Sequence, residues 1–440
     1  MNSALFTDLY EVTMAQAYMA QRMSGTAVFE TFFRKLPHGR SYVMAAGLSD
    51  VLGFLERFQF LPSDIEYLRG LRLFSEEFLH SLAEVRFTGD VWAVPEGTVV
   101  FPNEPIVQVI APILEAQLVE TFVVNQIHLQ SVSASKAARV VEAARGRKVV
   151  DFGARRAHGT DAALKVARSG YLAGLAGTSN LLAARMFGIP VFGTMAHSFV
   201  QAFDNELDAF DAFAQLYPGT TLLVDTYDTL RGVDLVIELL TKTPGLEVAA
   251  VRLDSGDLGA LAKATRAKLD VAGFNHVAIF ASSGLDEYRI AALVDDDCPI
   301  DAFAVGTKFV VAEDAPALDM AYKLVEYGGT GRTKLSSGKV IYPGRKQVVR
   351  RVDQGIFTGD TIGRADEQLD GEPLLVPVMK NGRRLAHCDL DLPTSRNWAR
   401  QQVDRLPAQL RSLEDSGRTY PVDVSPGVAR DLERLRQSPT

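Results

Sequence analysis

The 440 residues, 47% hydrophobic and 23% charged, hold enough apolar matter for one large core and a second layer or domain. Fifty-four acidic against 46 basic residues leave a formal charge of −8, which argues against a general nucleic-acid or membrane-surface binder but not against a local basic cluster for a small phosphorylated substrate. Two lone cysteines without a CxxC partner, Cys298 and Cys388, argue against a zinc site or disulfide framework; with no basic-then-apolar leader and no bilayer-length apolar run, a soluble, cytoplasmic protein is expected.

The first 115 or so residues read as mixed structure. A short helix is expected around Asp8–Gln21, a strand over Ala27–Leu36 stopped by Pro37, and a helix around Tyr42–Arg57. From Phe87 to Ala111, Gly89, Pro95, Gly97, Pro102 and Pro105 punctuate valine-rich pieces that predict short strands joined by turns. A long helical pattern then runs from Leu114 to about Arg145, and a βα alternation follows. Strand-like segments end at Val150, near Ala176, and at Phe192, Val224, Arg252, Phe280 and Val305, with helical patterns such as Asp161–Arg168, Leu181–Phe187 and Leu258–Val271 between them. Repeated βα units predict parallel strands with helices outside them, in a closed or nearly closed barrel, an open doubly wound sheet being the alternative. After Lys323 the alternation stops. A hairpin region is expected over Thr333–Val349, turned at Ser337-Gly338 and Pro343-Gly344, then β structure over 371–390, a charged helix over Ser395–Asp415 and a helical or frayed tail over Pro421–Thr440. The expected domains are 1–115, 116–335 and 336–440.

Nearly every strand of the alternation ends in small or charged residues. They are Asp151–Arg156, Gly177–Asn180, Gly193–Ser198, Asp225–Asp228, Arg252–Asp257, Ser282–Gly284 and Gly306–Lys308. In a βα barrel the carboxyl ends of the strands converge on one face, and that face carries the active site. One such loop carries little information; their shared placement carries much more.

Residue types then narrow the chemistry. Ser283-Gly284 and Gly306-Thr307 are strand-to-helix turns whose amides and hydroxyls suit a phosphate, although small residues also serve simply to turn the chain. Arg252 suits a phosphate or carboxylate and Asp254 suits ribose hydroxyls or a metal-bound pyrophosphate; a plain surface ion pair is the competing reading. Phe152 and Arg155 share a loop, and an aromatic face beside a guanidinium suits a flat anionic ring, though Phe152 also reads as a core residue. His197 reads either as a structural histidine or, on the shared face, as a nucleophile or acid–base group, opening a helical stretch Ser198–Leu216.

Two local patterns mislead. Asp295-Asp296-Asp297 resembles the acidic pair of small Rossmann-like phosphoribosyltransferases but runs into Cys298-Pro299 instead of a phosphate loop. Gly338-Lys339 lacks both the first glycine and the Ser/Thr of a P-loop.

Taken in order, Thr7–Tyr10, Phe29–Arg34, Asp151–Arg156 with His158-Gly159, Gly177–Asn180, Gly193–Ser198, Arg252–Asp257, Ala321–Leu324 and Pro343–Gln347 resemble nicotinate phosphoribosyltransferase over nearly the whole chain. The resemblance implies an α/β fold, an irregular (β/α) TIM-like barrel with an additional α/β domain formed from N- and C-terminal segments. It implies transfer of nicotinate onto 5-phosphoribosyl 1-pyrophosphate, giving nicotinate mononucleotide and pyrophosphate at the start of NAD salvage. ATP is the implied co-substrate, hydrolysed through a phosphohistidine, with Mg²⁺ held through pyrophosphate and not by a direct protein motif. A homodimer with shared active sites is implied as well.

By the same resemblance His197 matches the phosphorylated histidine, Phe152 the aromatic stacked on the pyridine, and Tyr10 an aromatic supplied by the neighbouring subunit. Arg155 matches a substrate-binding arginine. Ser179 stands where nicotinamide-using relatives have an aspartate, which favours a carboxylate over an amide. Asp8, Arg252 and Asp254 match groups at the phosphoribosyl moiety, while Ser283, Gly284, Gly306 and Thr307 match its 5-phosphate pocket. Arg34 and Lys323 match groups near the pyrophosphate and ATP phosphates. The rival readings are a nicotinamide phosphoribosyltransferase, disfavoured by Ser179 and the Arg155-Arg156 pair, a quinolinate phosphoribosyltransferase, a non-catalytic pyridine-nucleotide-binding protein and a metal-dependent barrel hydrolase.

Overall fold

The structure, a computed structural model, describes residues 3–335, 341–388, 391–414 and 419–437. Two compact units divide the chain, one formed by Met1–Ser135 with Ala317–Thr440 and the other by Lys136–Pro316.

The second unit is built on six parallel strands: β1 (Lys148–Asp151), β2 (Gly177–Thr178), β3 (Thr220–Leu223), β4 (Val248–Leu253), β5 (Ala278–Ala281) and β6 (Ala302–Val305). Their order across the sheet is β2-β1-β6-β5-β4-β3, and every neighbouring pair is parallel. Such strands are typically covered on both faces, in keeping with β5 and β6, which are continuous apolar runs without a period-two alternation. The intervening helices include Thr160–Leu172, Thr229–Lys242, Leu258–Val271 and Glu287–Asp295. The expected strand ending at Phe192 is reduced to a single parallel bridge between Thr178 and Val191. The expected helix Ser198–Leu216 is two helices, His197–Gln201 and Glu206–Leu216, the second restarted by the side chain of Asn205, which accepts a hydrogen bond from Asp208 N.

Part of the polar signal at the strand ends is helix capping. Asn180, Asp228, Asp257 and Asp286 each accept a hydrogen bond from the first-turn amides of the following helix. Asp257 takes two, from Gly259 N and Ala260 N at 3.1 Å each. Asp257→Ala is therefore expected to lower unfolding stability by about 1 kcal/mol while leaving turnover unchanged; urea titration and steady-state kinetics on the same preparation check both halves.

The first unit centres on a seven-stranded sheet in the order Thr330–Gly331, Met320–Tyr327, Thr26–Phe33, Val107–Pro112, Asp90–Ala93, Val376–Lys380, Arg383–Arg384, so both chain ends contribute to it. Tyr42–Arg57 is not one helix: Val43–Met44 pairs with Val99–Val100, and the helix Leu48–Leu55 starts only after Gly47, whose φ of 101° is left-handed. A Cβ on Gly47 would lie 2.4 Å from Gln126 O, so the close approach also requires glycine.

The expected hairpin over Thr333–Val349 lies further along the chain. Lys346–Asp353 pairs antiparallel with Ile356–Arg364, turned at Gln354-Gly355 instead of at Pro343-Gly344. The other expected turn, Ser337-Gly338, lies outside the described residues, as does Lys339. The charged helix Ser395–Asp415 is Leu392–Asp404 followed by a separate turn, Ala408–Arg411, because Pro407 cannot continue it. Of the expected tail Pro421–Thr440, the described residues form a strand, Val422–Val424, and a helix, Pro426–Gln437, and residues 438–440 lie outside them. Within the hairpin, Arg350 and Asp360 are fully buried and joined at 2.6 Å, with Gln402 and the Val99 carbonyl taking the remaining guanidinium donors. The four groups satisfy one another where water is excluded.

Candidate active site

At the carboxyl ends of the parallel strands the second unit opens into a cleft of about 630 Å³. Ten of the residues singled out from the sequence line it. Phe152 and Arg155 come from the β1 loop, Ser179 from β2, and His197 from the segment before β3; Arg252 and Asp254 come from β4, Ser283 and Gly284 from β5, and Gly306 and Thr307 from β6.

The β4 end holds the tightest polar cluster. Arg252 Nη2 donates to Asp254 Oδ1 at 2.8 Å, its Nε to Ser282 Oγ at 2.9 Å and its Nη1 to Thr194 Oγ1 at 3.0 Å. The Ser282 hydroxyl donates to the same Asp254 oxygen. Burial alone would raise the Asp254 carboxyl; the Ser282 hydroxyl and the Arg252 guanidinium outweigh it and hold the group below the usual carboxylate range. Asp254 is thus a fixed negative charge beside a fixed positive one. Its amide is anchored in turn, donating to Asp225 Oδ2 at 3.0 Å, and Ser255 Oγ donates to that oxygen too.

His197 faces this cluster with its side chain 39% exposed. Nε2 is 3.6 Å from Asp254 Oδ2, and Nδ1 is 3.2 Å from Thr226 Oγ1. Both ring nitrogens are oriented by oxygen partners while the ring stays open to the cleft, unlike a histidine satisfied inside a core.

Phe152 serves both of its sequence readings. Its ring packs edge-on against Phe280 at 5.7 Å and joins a cluster with Val150, Ala250 and Ala304, yet it also lines the cleft, with the Arg252 guanidinium 5.5 Å from its centroid. The loop carrying it is pinned by Asp151. This buried carboxylate accepts from Gly153 N at 2.7 Å and from Thr178 Oγ1 at 2.8 Å, tying the β1 loop to the β2 end where Ser179 sits. Burial pushes the Asp151 carboxyl up, against those two hydrogen bonds. Gly153 leaves no room for a side chain: a Cβ there would lie 2.1 Å from Val310 Cγ1.

Residues 5–128 match the nicotinate phosphoribosyltransferase N-terminal domain and residues 147–328 the nicotinate phosphoribosyltransferase family. The Mycobacterium tuberculosis nicotinate phosphoribosyltransferase pncB2 is 72% identical over 438 residues, covering 99% of this chain and 95% of the relative. The chain belongs to the nicotinate phosphoribosyltransferase family. The Bacillus subtilis nicotinate phosphoribosyltransferase is 41% identical over 84% of this chain and 78% of its own length. Among solved structures, human nicotinic acid phosphoribosyltransferase superposes with a TM-score of 0.85 at 28% identity, covering 98% of this chain and 99% of that one. A Pyrococcus furiosus nicotinate-nucleotide pyrophosphorylase reaches 0.75 at 26% identity, covering 91% of this chain and 95% of that one. The mixed α/β fold with a parallel sheet is the one shared with these structures.

The remaining residues carried over from the family resemblance, Asp8, Tyr10, Arg34 and Lys323, belong to the first unit. Arg34 and Lys323 line a smaller cavity of about 340 Å³ there, with Glu120 and Lys334, and Arg34 Nη1 pairs with Asp319 at 2.9 Å. Asp8 accepts from Thr121 Oγ1 at 2.8 Å. Tyr10 is hydrogen-bonded to Glu120, and its hydroxyl is pushed up by burial and then by the charges of Glu120 and Glu11. Burial likewise pushes Glu11 up to about 7, the Thr121 and Thr7 hydroxyls pulling the other way.

Ser282, Thr226, Asp225 and Asp151 had no individual role in the sequence reading. Each sat in a strand-end loop that was singled out, so position was available as a signal while the partner of each was not. Among the described residues no group of three or more His, Cys, Asp or Glu is arranged to hold a metal ion, and no helix is long and apolar enough to cross a membrane.

Proposed function

We propose that this chain transfers a phosphoribosyl group from 5-phosphoribosyl 1-pyrophosphate to nicotinate, releasing pyrophosphate, and that its parallel sheet works as an irregular barrel whose carboxyl-end cleft is the active site. The carrying observation is the Arg252–Asp254–Ser282 cluster set between the Phe152–Arg155 loop and the turns after β5 and β6. Family membership supplies the reaction class, and the cleft supplies a place for each part of the substrates. Phe152 offers a ring face and Arg155 a guanidinium to an aromatic carboxylate. Asp254 suits the ribose hydroxyls, and the turns at Ser283-Gly284 and Gly306-Thr307 suit the 5-phosphate.

The pyridine nitrogen attacks the anomeric carbon as the pyrophosphate leaves, with positive charge developing on the ribose. Asp254, held ionised, lies within the cleft to stabilise that charge. The attacking nitrogen carries no proton at neutral pH, so no general base is required. The protein's work is positioning and charge neutralisation. Mg²⁺, carried by the pyrophosphate, would neutralise the leaving group. The fit on the protein side is Asp225, whose buried Oδ1 has no hydrogen-bond partner. A coupled release of pyrophosphate from phosphoribosyl pyrophosphate that starts only on adding nicotinate is the expected result; release without any pyridine base would point to a hydrolase instead.

ATP is assigned to His197, which the cleft exposes between Thr226 and Asp254. Transfer of the γ-phosphoryl group of ATP to a ring nitrogen, with release of ADP, would add roughly two negative charges beside the transfer site until hydrolysis releases phosphate, if phosphohistidine follows the phosphoserine pattern. His197→Ala is expected to abolish ATP stimulation and the acid-labile label from γ-labelled ATP while keeping a basal, ATP-independent transfer. Undiminished ATP stimulation in that variant would remove the assignment.

The aromatic and basic groups of the first unit, Tyr10, Arg34 and Lys323, together with Asp8, are proposed to complete a neighbouring copy's site in a homodimer. This follows from family membership and from the accessibility of Tyr10, which is 46% exposed.

A further inference from the structure

The turn after β5 has a cation beside it that none of these roles uses. Ser283 and Gly284 are both left-handed, with φ of 80° and 60°, in a turn of the kind that gathers successive amides toward an anion. The neighbouring Ser282 hydroxyl is committed to Asp254. A Cβ built on Gly284 would lie 3.3 Å from Nη1 of Arg289, so that guanidinium rests directly against the turn. Arg289 reaches this position from the first turn of the helix Glu287–Asp295, where its own amide donates to the capping carboxylate of Asp286 at 2.8 Å.

Asp286 also decides which cation near the two turns is free. Lys308, one residue beyond Thr307, donates its ammonium to Asp286 Oδ2 at 2.7 Å and is neutralised there. Arg289 is exposed and has no carboxylate within ion-pair distance among the described residues, and its charge is felt at Lys308. The β5 and β6 turns offer a phosphate only neutral donors, amides and hydroxyls. A phosphate monoester brings between one and a half and two negative charges, roughly, at neutral pH. One unpaired guanidinium at the lip of the turn supplies the missing positive charge, in a fork that matches phosphate oxygens.

We infer that Arg289 is a phosphate-binding residue that swings onto the 5-phosphate of the phosphoribosyl group and closes the subsite formed by Ser283-Gly284 and Gly306-Thr307, while Asp286 keeps Lys308 from competing for that place. This rests on the reading of those two turns as the 5-phosphate site. The test compares binding of nicotinate mononucleotide with that of its dephosphorylated riboside, by calorimetry, to the wild-type protein, Arg289→Ala and Arg289→Lys. Arg289→Ala is expected to weaken the mononucleotide roughly 10- to 100-fold and to leave the riboside unchanged, with Arg289→Lys recovering part of the loss. An equal loss for both ligands, or no loss for the mononucleotide, would overturn the role of Arg289. A wild-type protein that fails to distinguish the two ligands would instead overturn the phosphate subsite itself, and this inference with it.

Discussion

Replacing Arg252 with alanine is expected to lower kcat/KM for phosphoribosyl transfer by about three orders of magnitude in a protein that remains folded. The guanidinium holds Asp254, Ser282 and Thr194 at once and borders the Phe152 ring. Its removal leaves Asp254 partly buried without its cationic partner, and the Asp254 carboxyl should then rise toward the ordinary range or above. Truncating one partner of such a hydrogen-bonded charge pair typically costs about 2–5 kcal/mol, which is on the order of 30- to 5,000-fold. The cost should be larger in the transition state than in the ground state, because the developing ribose charge then faces a weakened carboxylate. Arg252→Lys keeps the charge but loses the planar fork that reaches three oxygens, so it should recover only a small part of the rate. The pH profile separates this from a general loosening of the site. The sign follows from Asp254: its carboxyl is held low in the intact protein, so activity persists as pH falls until that carboxyl protonates. In Arg252→Ala the acidic limb should move to higher pH. An unmoved limb with a lower plateau would mean that Arg252 acts on the substrate alone.

Ser179→Asp is the second large effect. Ser179 lies in the cleft at the β2 end, tied to β1 through its amide bond to the Asp151 carbonyl at 2.9 Å. In the proposed binding mode a carboxylate placed there would face the carboxylate of nicotinate. At about 5 Å and an effective dielectric constant near 20, two like charges repel by roughly 3 kcal/mol. The variant is therefore expected to raise KM for nicotinate on the order of 100-fold and to leave KM for phosphoribosyl pyrophosphate within about threefold. Nicotinamide, which carries an amide in place of that charge, should suffer far less and could gain a hydrogen bond. Steady-state kinetics with each base in turn reads the outcome. Equal losses for the two bases would show that residue 179 does not face the ring substituent.

The strand-end pattern was legible because it depends on chain direction and little else. Once β1, β4, β5 and β6 read as parallel strands, Phe152, Arg252, Ser283 and Gly306 had to emerge on one side, whatever the exact curvature of the sheet. The partners of those residues were not legible. Nothing local distinguishes Ser282, which bonds Asp254 across to the next strand, from a serine that merely turns the chain, and Thr226 meets His197 from 29 positions away. Asp257 and Asp228 stood in the strand-end loops and are caps, since a helix N-terminus and an active-site loop ask for the same residue types.

In the first unit the errors have a common origin as well. The Lys346–Asp353 and Ile356–Arg364 hairpin, which buries Arg350 and Asp360, turns at Gln354-Gly355, a signal passed over for Pro343-Gly344. Tyr42–Met44 carries the apolar density of a helix, but Gly47 in a left-handed conformation against Gln126 fixes the start of the helix at Leu48. In each case a tertiary contact outweighed a local propensity.

The proposed function requires nicotinate to be the accepted base and ATP to drive its transfer. A competition assay meets both points, with labelled nicotinate and labelled nicotinamide present together with phosphoribosyl pyrophosphate and Mg²⁺, with and without ATP. The predicted result is nicotinate mononucleotide as the dominant product, formed faster and at lower nicotinate when ATP is present. Nicotinamide mononucleotide as the main product would contradict the assignment of Ser179 and Arg155 to a carboxylate, and no mononucleotide from either base would contradict the transferase itself.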